Sequence, residues 1–167
     1  MSEVKVTKDL ENKKLVIEFT ANGPREKVWQ AYADKDTFEK WWGPEGWETT
    51  TKEFDFRPGG RIHYGMKCVD ENQGEWFGQT SWGGMNIKDV KDGESFTYTD
   101  FFSDENGMEN KEMPTLTVTN EFIEEDGETR IISTSYADSA DQIEQLIKMG
   151  MVEGFSSQLN KLDKLFA

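Results

Sequence analysis

Ser139-Ala140-Asp141-Gln142-Ile143-Glu144-Gln145-Leu146-Ile147-Lys148-Met149-Gly150-Met151-Val152-Glu153-Gly154-Phe155, running on through Leu159 and Leu162 to Ala167, is the stretch that decides the fold. Ile143, Ile147, Met151, Phe155, Leu159, Leu162 and Phe166 recur at spacings of three and four, which is one apolar stripe on a long helix. Ser139 followed three residues later by Gln142 fits a capping box, and Asp138 and Asp141 suit the positive end of the helix dipole. Gly150 and Gly154 lie near the apolar face, where each costs about 1 kcal/mol relative to alanine. Close backbone packing or a helix break near Gly150 is one reading, and room left for a ligand is the other. Met149 and Met151 flank the first glycine, and methionine adapts to a variable ligand as readily as it fills a core.

Outward from that helix the chain reads mainly as strands. Residues 2–8 read as a short lead-in strand. Over 13–20, Leu15, Ile17 and Phe19 alternate with Glu18 and Thr20 on a half-buried strand. Gly23-Pro24 punctuates, and Val28, Trp29, Ala31 and Tyr32 give a helical stripe over 24–33. Asp36 is expected to cap a second short helix ending near Trp42. Gly43-Pro44-Glu45-Gly46 turns the chain into a strand over 47–56, and Arg57-Pro58-Gly59-Gly60 is a tight connection. The clearest alternation covers 61–69: Ile62, Tyr64, Met66 and Cys68 point one way, Arg61, His63, Gly65 and Lys67 the other. That pattern puts His63 on a polar surface and makes Cys68 an inert buried thiol.

Asp70-Glu71-Asn72-Gln73-Gly74 reads as a hairpin-type turn. A strand over 75–90 follows, with a bulge at Gly83-Gly84 and with Trp76, Gly78, Thr80 and Trp82 on one face. Phe96, Tyr98 and Phe102 alternate next, with Asp100 on their side, at a strand end or in a polar spot of a cavity. Residues 103–110 are an acidic loop. Over 113–124, Leu116, Val118 and Phe122 oppose Thr115, Thr117 and Thr119. Glu125-Asp126-Gly127 is a hairpin turn, and 129–136 is the last strand. The order is therefore strand, two short helices, about six antiparallel strands and a long helix, an α+β arrangement with the helices on one side of the sheet. The 167 residues suit one domain spanning 1–167.

Composition narrows the function. The 33 acidic residues outnumber 19 basic ones, for a formal charge of −14, which argues against nucleic acid and against anionic membrane surfaces as partners. One cysteine allows no intrachain disulfide, no run approaches the length of a membrane helix, and Met-Ser-Glu-Val-Lys-Val carries no apolar signal region; a reducing cytoplasm is expected. One histidine removes most zinc sites, and no calcium-loop pattern is visible, so no metal and no cofactor is expected.

Four segments carry a resemblance over nearly the whole chain. They are Ala21-Asn22-Gly23-Pro24-Arg25-Glu26-Lys27-Val28-Trp29; Phe38-Glu39-Lys40-Trp41-Trp42-Gly43-Pro44; Glu53-Phe54-Asp55-Phe56-Arg57-Pro58-Gly59-Gly60; and Gly154-Phe155 with Leu159 and Leu162. In this order they resemble the family related to the C-terminal domain of the activator of heat shock protein 90 ATPase, within the START-like, Bet v 1-like (SRPBCC) superfamily. Asn22-Gly23 before the proline is a departure from the family's opening. The resemblance implies a helix-grip fold: a curved antiparallel sheet of about six or seven strands around the long C-terminal helix, two short helices after the first strand, and an apolar cavity between sheet and helix. It also implies a small apolar ligand there, or a chaperone partner and a stress-response setting. The eukaryotic cochaperones carry a further N-terminal domain, and this chain is expected to hold the START-like domain alone. Trp-Trp and Arg-Pro-Gly-Gly read as structural, so no catalytic residue is carried over.

The expected lining is Trp42, Phe54, Phe56, Tyr64, Met66, Trp76, Trp82, Phe96, Tyr98, Asp100, Met113, Leu116, Met151 and Phe155, with Tyr64, Tyr98 and Asp100 as polar anchors. The 6 tryptophans, 4 tyrosines and 11 phenylalanines supply it, though every core also needs packed aromatics. Non-enzymatic binding of a lipid-like or aromatic ligand is the leading reading. A protein-interaction module is the alternative, favoured if Trp41 or Trp47 is exposed and steered by the acidic surface. A cyclase- or hydrolase-like enzyme comes last: the sequence holds no Ser-His-Asp set and no phosphate loop, leaving a carboxylate–tyrosine pair of Asp100 and Tyr98. A monomer or a homodimer is expected.

Overall fold

The computed structural model describes residues 4–166. Eight strands form one antiparallel sheet: β1 (Lys5–Asp9), β2 (Lys14–Ala21), β3 (Trp47–Phe54), β4 (Arg61–Cys68), β5 (Thr80–Lys91), β6 (Ser95–Phe102), β7 (Thr117–Glu125) and β8 (Glu128–Tyr136). Their order across the sheet is β1-β2-β8-β7-β6-β5-β4-β3. Helices α1 (Arg25–Ala33), α2 (Lys35–Trp41), α3 (Ala140–Lys148) and α4 (Met151–Lys164) gather on one face. This is the helix-grip α+β fold, with eight strands rather than six or seven. The lead-in strand contributes β1; its expected first residues, and Ala167, lie outside the described residues.

Alternation explains most of the sheet. On β2, Leu15, Ile17, Phe19 and Ala21 are buried while the residues between them are half-exposed. The register carries that inner face across the sheet, Ile17 opposite Ser133, Ser133 opposite Asn120, and Asn120 opposite Phe96. Asp126 and Gly127, both at positive φ, make the two-residue turn that joins β7 to β8.

Helix ends differ from the sequence reading in two places. Asp34, not Asp36, caps α2, accepting the Thr37 amide at 3.1 Å and its hydroxyl at 2.7 Å. The C-terminal helix is two helices. Ser139 caps α3 by accepting the Gln142 amide at 3.2 Å. Gly150, at φ 90°, then ends α3 and starts α4. A left-handed residue after a helix C-terminus is glycine's preferred place.

The apolar interior divides under these helices. Beneath α1 and α2, Trp29 meets Phe56, Phe96 and Phe122 edge-on at 5.3–5.9 Å between ring centres. Tyr32 packs on Trp41, Phe96 and Phe122 at 4.8–5.6 Å. Trp41 is fully buried, its indole N–H donating to the Ala31 carbonyl at 2.7 Å. Beneath α4 the packing is not complete.

Candidate functional site

A hollow of about 240 Å³ lies between α4 and the inner face of the sheet. Its floor is built by alternation. Tyr64 and Met66 come from β4, Tyr98 and Asp100 from β6, and Leu116 and Val118 from β7 and the segment leading into it. Ile17 of β2 and Ser135 of β8 close the far side. Met151, Gly154, Phe155 and Gln158 of α4 form the roof, at spacings of three and four that put them on one helix face. A Cβ added at Gly154 would meet no atom within 4 Å, so this helix turn stands over open space.

Trp42 and Pro44 make the edge of the hollow, on a turn tied to α4. The Gly43 amide donates to Gln158 Oε1 and the Glu45 amide to Ser157 Oγ, both at 2.8 Å. Lys161 Nζ donates to the carbonyls of Gly43 and Trp47, both at 3.2 Å. Burial, the main cause, holds the Lys161 ammonium below its usual pKa, against the pull of Glu45 and Glu48. Paired tryptophans followed by Gly-Pro are thus a structural device: Trp41 fills the core, Trp42 walls the hollow, and the turn locks onto the roof. Gln158, Ser157 and Lys161 were missed in the sequence because a polar residue on a helix carries no signal of a distant backbone partner.

Eight expected lining residues come together here: Trp42, Tyr64, Met66, Tyr98, Asp100, Leu116, Met151 and Phe155. Six do not. Phe96 and Phe56 lie in the packed block, 4.9 Å apart, and Phe54 packs on Phe38 at 5.5 Å. Met113 lines a separate surface depression. Trp76 is 59% exposed, because residues 71–76 form a 3-10 turn and the strand starts only at Thr80. Trp82 pairs with Gly65 and so points to the opposite face of the sheet, where its ring covers the space a Gly65 Cβ would take. The bulge of β5 falls between Ile87 and Asp89 rather than at Gly83-Gly84.

That opposite face is covered around His63. His63 is only 2% exposed, not on the surface as its polar neighbours suggest. Its Nε2 lies 3.2 Å from both the Ser103 hydroxyl and the Asp104 carbonyl, and its ring lies 5.4 Å from that of Trp82. The loop after β6 lies over it. Cys68 is buried on the inner face, as its parity implies.

Electrostatics single out Asp100. It is the only lining residue that is ionised at neutral pH. Burial pushes its carboxyl up to about 6, with the Leu116 amide, which donates to Oδ1 at 2.6 Å, acting against the shift. Burial also raises Tyr64 to about 12 and Tyr98 well above the ordinary phenol value, with the Asp100 charge adding to both. Four larger depressions lie elsewhere, and two of them bear on the comparison. One, between the start of α1 and Phe166, is an open groove of mixed polar and apolar lining. The other lies outside the sheet end and reaches Asp100 from the far side. The smaller hollow is the one lined mainly by apolar surface, partly open to solvent, with few polar groups converging on it, which is the form of a small-molecule site. No cluster of three or more metal-ligating side chains occurs among the described residues. No described helix is long and apolar enough to cross a membrane.

Known proteins match along the whole of this architecture. The model of a family described as "Activator of Hsp90 ATPase homolog 1-like protein" matches residues 22–167. The crystal structure of protein Ms6760 from Mycobacterium smegmatis is 34% identical, with a TM-score of 0.87 over 99% of this chain and 98% of that one. Solution structures of proteins from Arthrobacter aurescens and Staphylococcus epidermidis are 25% and 27% identical, with TM-scores of 0.86 and 0.81. Each covers 97% of this chain, and 90% and 93% of the respective relative. No curated protein matches the chain.

Proposed function

Because the chain belongs to the Activator of Hsp90 ATPase homolog 1-like family, we propose that it is a binding module, acting as one unit, which holds one small apolar or amphipathic molecule between α4 and the sheet without transforming it. The observation that carries this reading is the hollow itself. Aromatic and aliphatic side chains surround it, the helix above it has a glycine where a side chain would fit, and three polar anchors (Tyr64, Tyr98 and Asp100) reach it. A well-packed domain leaves few voids larger than a water molecule. A space of about 240 Å³ exceeds the ~150 Å³ of a cavity that takes up benzene and falls below the ~300 Å³ at which drug-sized pockets begin. One- or two-ring molecules fit that interval; a sterol does not. A single unpaired buried cysteine fits a reducing cytoplasm, and the chain is proposed to act there as a monomer or homodimer.

Native mass spectrometry of the purified protein, with extraction of co-purified small molecules, tests the reading directly. A bound aromatic or lipid-like molecule supports it. Apo protein that also fails to bind an apolar fluorescent dye would sink it.

One observation favours a second reading, a protein-interaction module. Val69, Trp76 and Phe77 are exposed together, Trp76 lies 6.3 Å from Trp47, and Asp70, Glu71 and Glu75 surround them in sequence. Trp41, the other candidate for exposure, is buried. A pull-down with the chaperone as bait, comparing wild type with Trp76→Ala, tests it. Equal capture by both would remove this patch from the account.

A further inference from the structure

We propose that the hollow under α4 selects a small aromatic amine, its ring among Trp42, Tyr64, Tyr98 and Phe155 and its ammonium on Asp100. This rests on the binding-module reading and names the ligand class for the same site.

Charge is the first argument. No lysine, arginine or histidine lines the hollow, so a fatty acid or other carboxylate would be buried without a counter-ion. The one charged side chain there is negative. Asp100 Oδ1 accepts from the Leu116 amide, and Oδ2 makes no hydrogen bond among the described residues. Asp100 is half-buried, so this oxygen is open to a partner, and an ammonium supplies both the charge and the donors. The second argument is the surrounding surface. Four aromatic side chains, Trp42, Tyr64, Tyr98 and Phe155, line it, and aromatic rings suit a cation as well as an apolar body. The third is size, which admits one or two rings with a short side chain.

Asp100 also forms part of the depression on its other side, so it is the wall between the hollow and solvent. Glu109, Glu112 and Asp138 share that outer depression, and Lys111 is the only cation among them. On the inner side the titratable neighbours of Asp100 are Tyr98 and Tyr64; α4 brings none to the hollow. The rim is therefore acidic on balance, which favours the approach of a cation.

Tryptamine, tryptophol and indole-3-acetate share one ring system and differ in the end group, so titration calorimetry with the three separates the arguments. Tryptamine is expected to bind about tenfold tighter than tryptophol, the scale of one charge-assisted hydrogen bond, and indole-3-acetate not at all. Asp100→Asn keeps an acceptor for the Leu116 amide and is expected to bring tryptamine down to the level of tryptophol. In the wild type, tryptamine affinity should fall several-fold between pH 7.5 and 5 as the carboxylate takes a proton, while tryptophol affinity stays level. This pH series decides the matter even if the variant does not fold. Equal affinity for tryptamine and tryptophol at both pH values overturns the amine proposal and leaves the binding module standing. If none of the three binds and the apolar dye does not either, both fall.

Discussion

Two regions of the interior carry the same kind of residue and end differently. Under α1 and α2, Trp29, Tyr32, Phe38, Trp41, Phe96 and Phe122 interlock edge-to-face and fill the space. Under α4, Trp42, Tyr64, Tyr98 and Phe155 surround a void. Aromatic content therefore does not distinguish core from cavity. The difference lies in what faces those rings. Helices α1 and α2 send large rings down onto the sheet. The facing turn of α4 offers Gly154, and β8 contributes Ser135 where a strand with Ile131 on the same face could have placed a larger side chain. Small residues on the roof and one side of the floor hold the void open. Ser133 Oγ and Asn120 Oδ1, paired across the inner face of the sheet away from the hollow's lining, are buried without a hydrogen-bond partner among the described residues.

The largest effect expected on either side of this comparison is in the packed block. Trp41→Ala removes a fully buried indole and leaves the Ala31 carbonyl without its donor. A loss of about 4–5 kcal/mol is expected, at the upper end for large-to-small changes, read by urea denaturation. A loss under about 1 kcal/mol would mean that the block is loosely packed and the contrast is false.

Next is a change at the wall of the hollow, and its sign is the reverse. The folded-state pKa of Asp100, about 6, lies above the ordinary carboxyl value of 3.8. The folded protein therefore holds this proton more tightly than the unfolded chain. Its contribution is fully favourable below about pH 4 and is lost as pH rises through about 6. Asp100→Asn removes that loss and keeps the acceptor for Leu116. The variant is expected to be more stable than wild type at pH 7.5 by on the order of 2–3 kcal/mol, with the difference vanishing near pH 4. Destabilisation at pH 7.5 would show that the charge is already compensated in the folded protein. It would remove the electrostatic vacancy from which the amine proposal starts.

How much of this contrast could be read from residues alone depends on what period-2 alternation can say. It sorts side chains onto two faces, and it placed Tyr64 and Met66 with Ile62, and Tyr98 and Asp100 with Phe96. It does not say which face is covered. Here the far face is covered locally too, so His63, assigned by alternation to the surface, is buried under the loop after β6, and Trp82, assigned to the cavity, lies half-buried beside it on the far side. Trp76 failed for another reason: a strand pattern was extended through residues that form a 3-10 turn. The paired tryptophans and Arg-Pro-Gly-Gly were legible as structural. Gly60 shows why, since its Cβ would run into the Asp55 carbonyl, and Gly59 and Gly60 exchange backbone hydrogen bonds with Ile87 at 2.9 Å. Phe96 and Tyr98 are two residues apart on one strand face, yet only the second meets the hollow. That division depends on which helix passes overhead, which alternation does not encode.

The two glycines of the C-terminal helices sharpen the comparison further, because they are there for different reasons. Gly150 has a left-handed backbone with only Glu153 Oε2, at 3.9 Å, near its missing Cβ. Its substitution is strained by dihedral angle and not by space. Gly150→Ala is expected to cost about 1–2 kcal/mol in thermal or urea unfolding. A neutral result would indicate that α3 and α4 join into one helix with little penalty.

Gly154 is helical, with open space where its side chain would be. Strain and collision are both absent, and leucine is a better helix former than glycine by nearly 1 kcal/mol. Gly154→Leu should therefore change stability least of all these variants, between neutral and about 1 kcal/mol stabilising. Its effect should appear in binding, with uptake of an apolar dye abolished while the circular dichroism spectrum is unchanged. The same insertion at Gly84, where a Cβ would already strike the Phe101 ring and the Ile62 carbonyl, should be strongly destabilising. A tolerated leucine at Gly154 that leaves dye binding intact would mean the ligand space lies elsewhere. A destabilising one would mean that α4 already rests on the sheet, and that the two regions are packed alike.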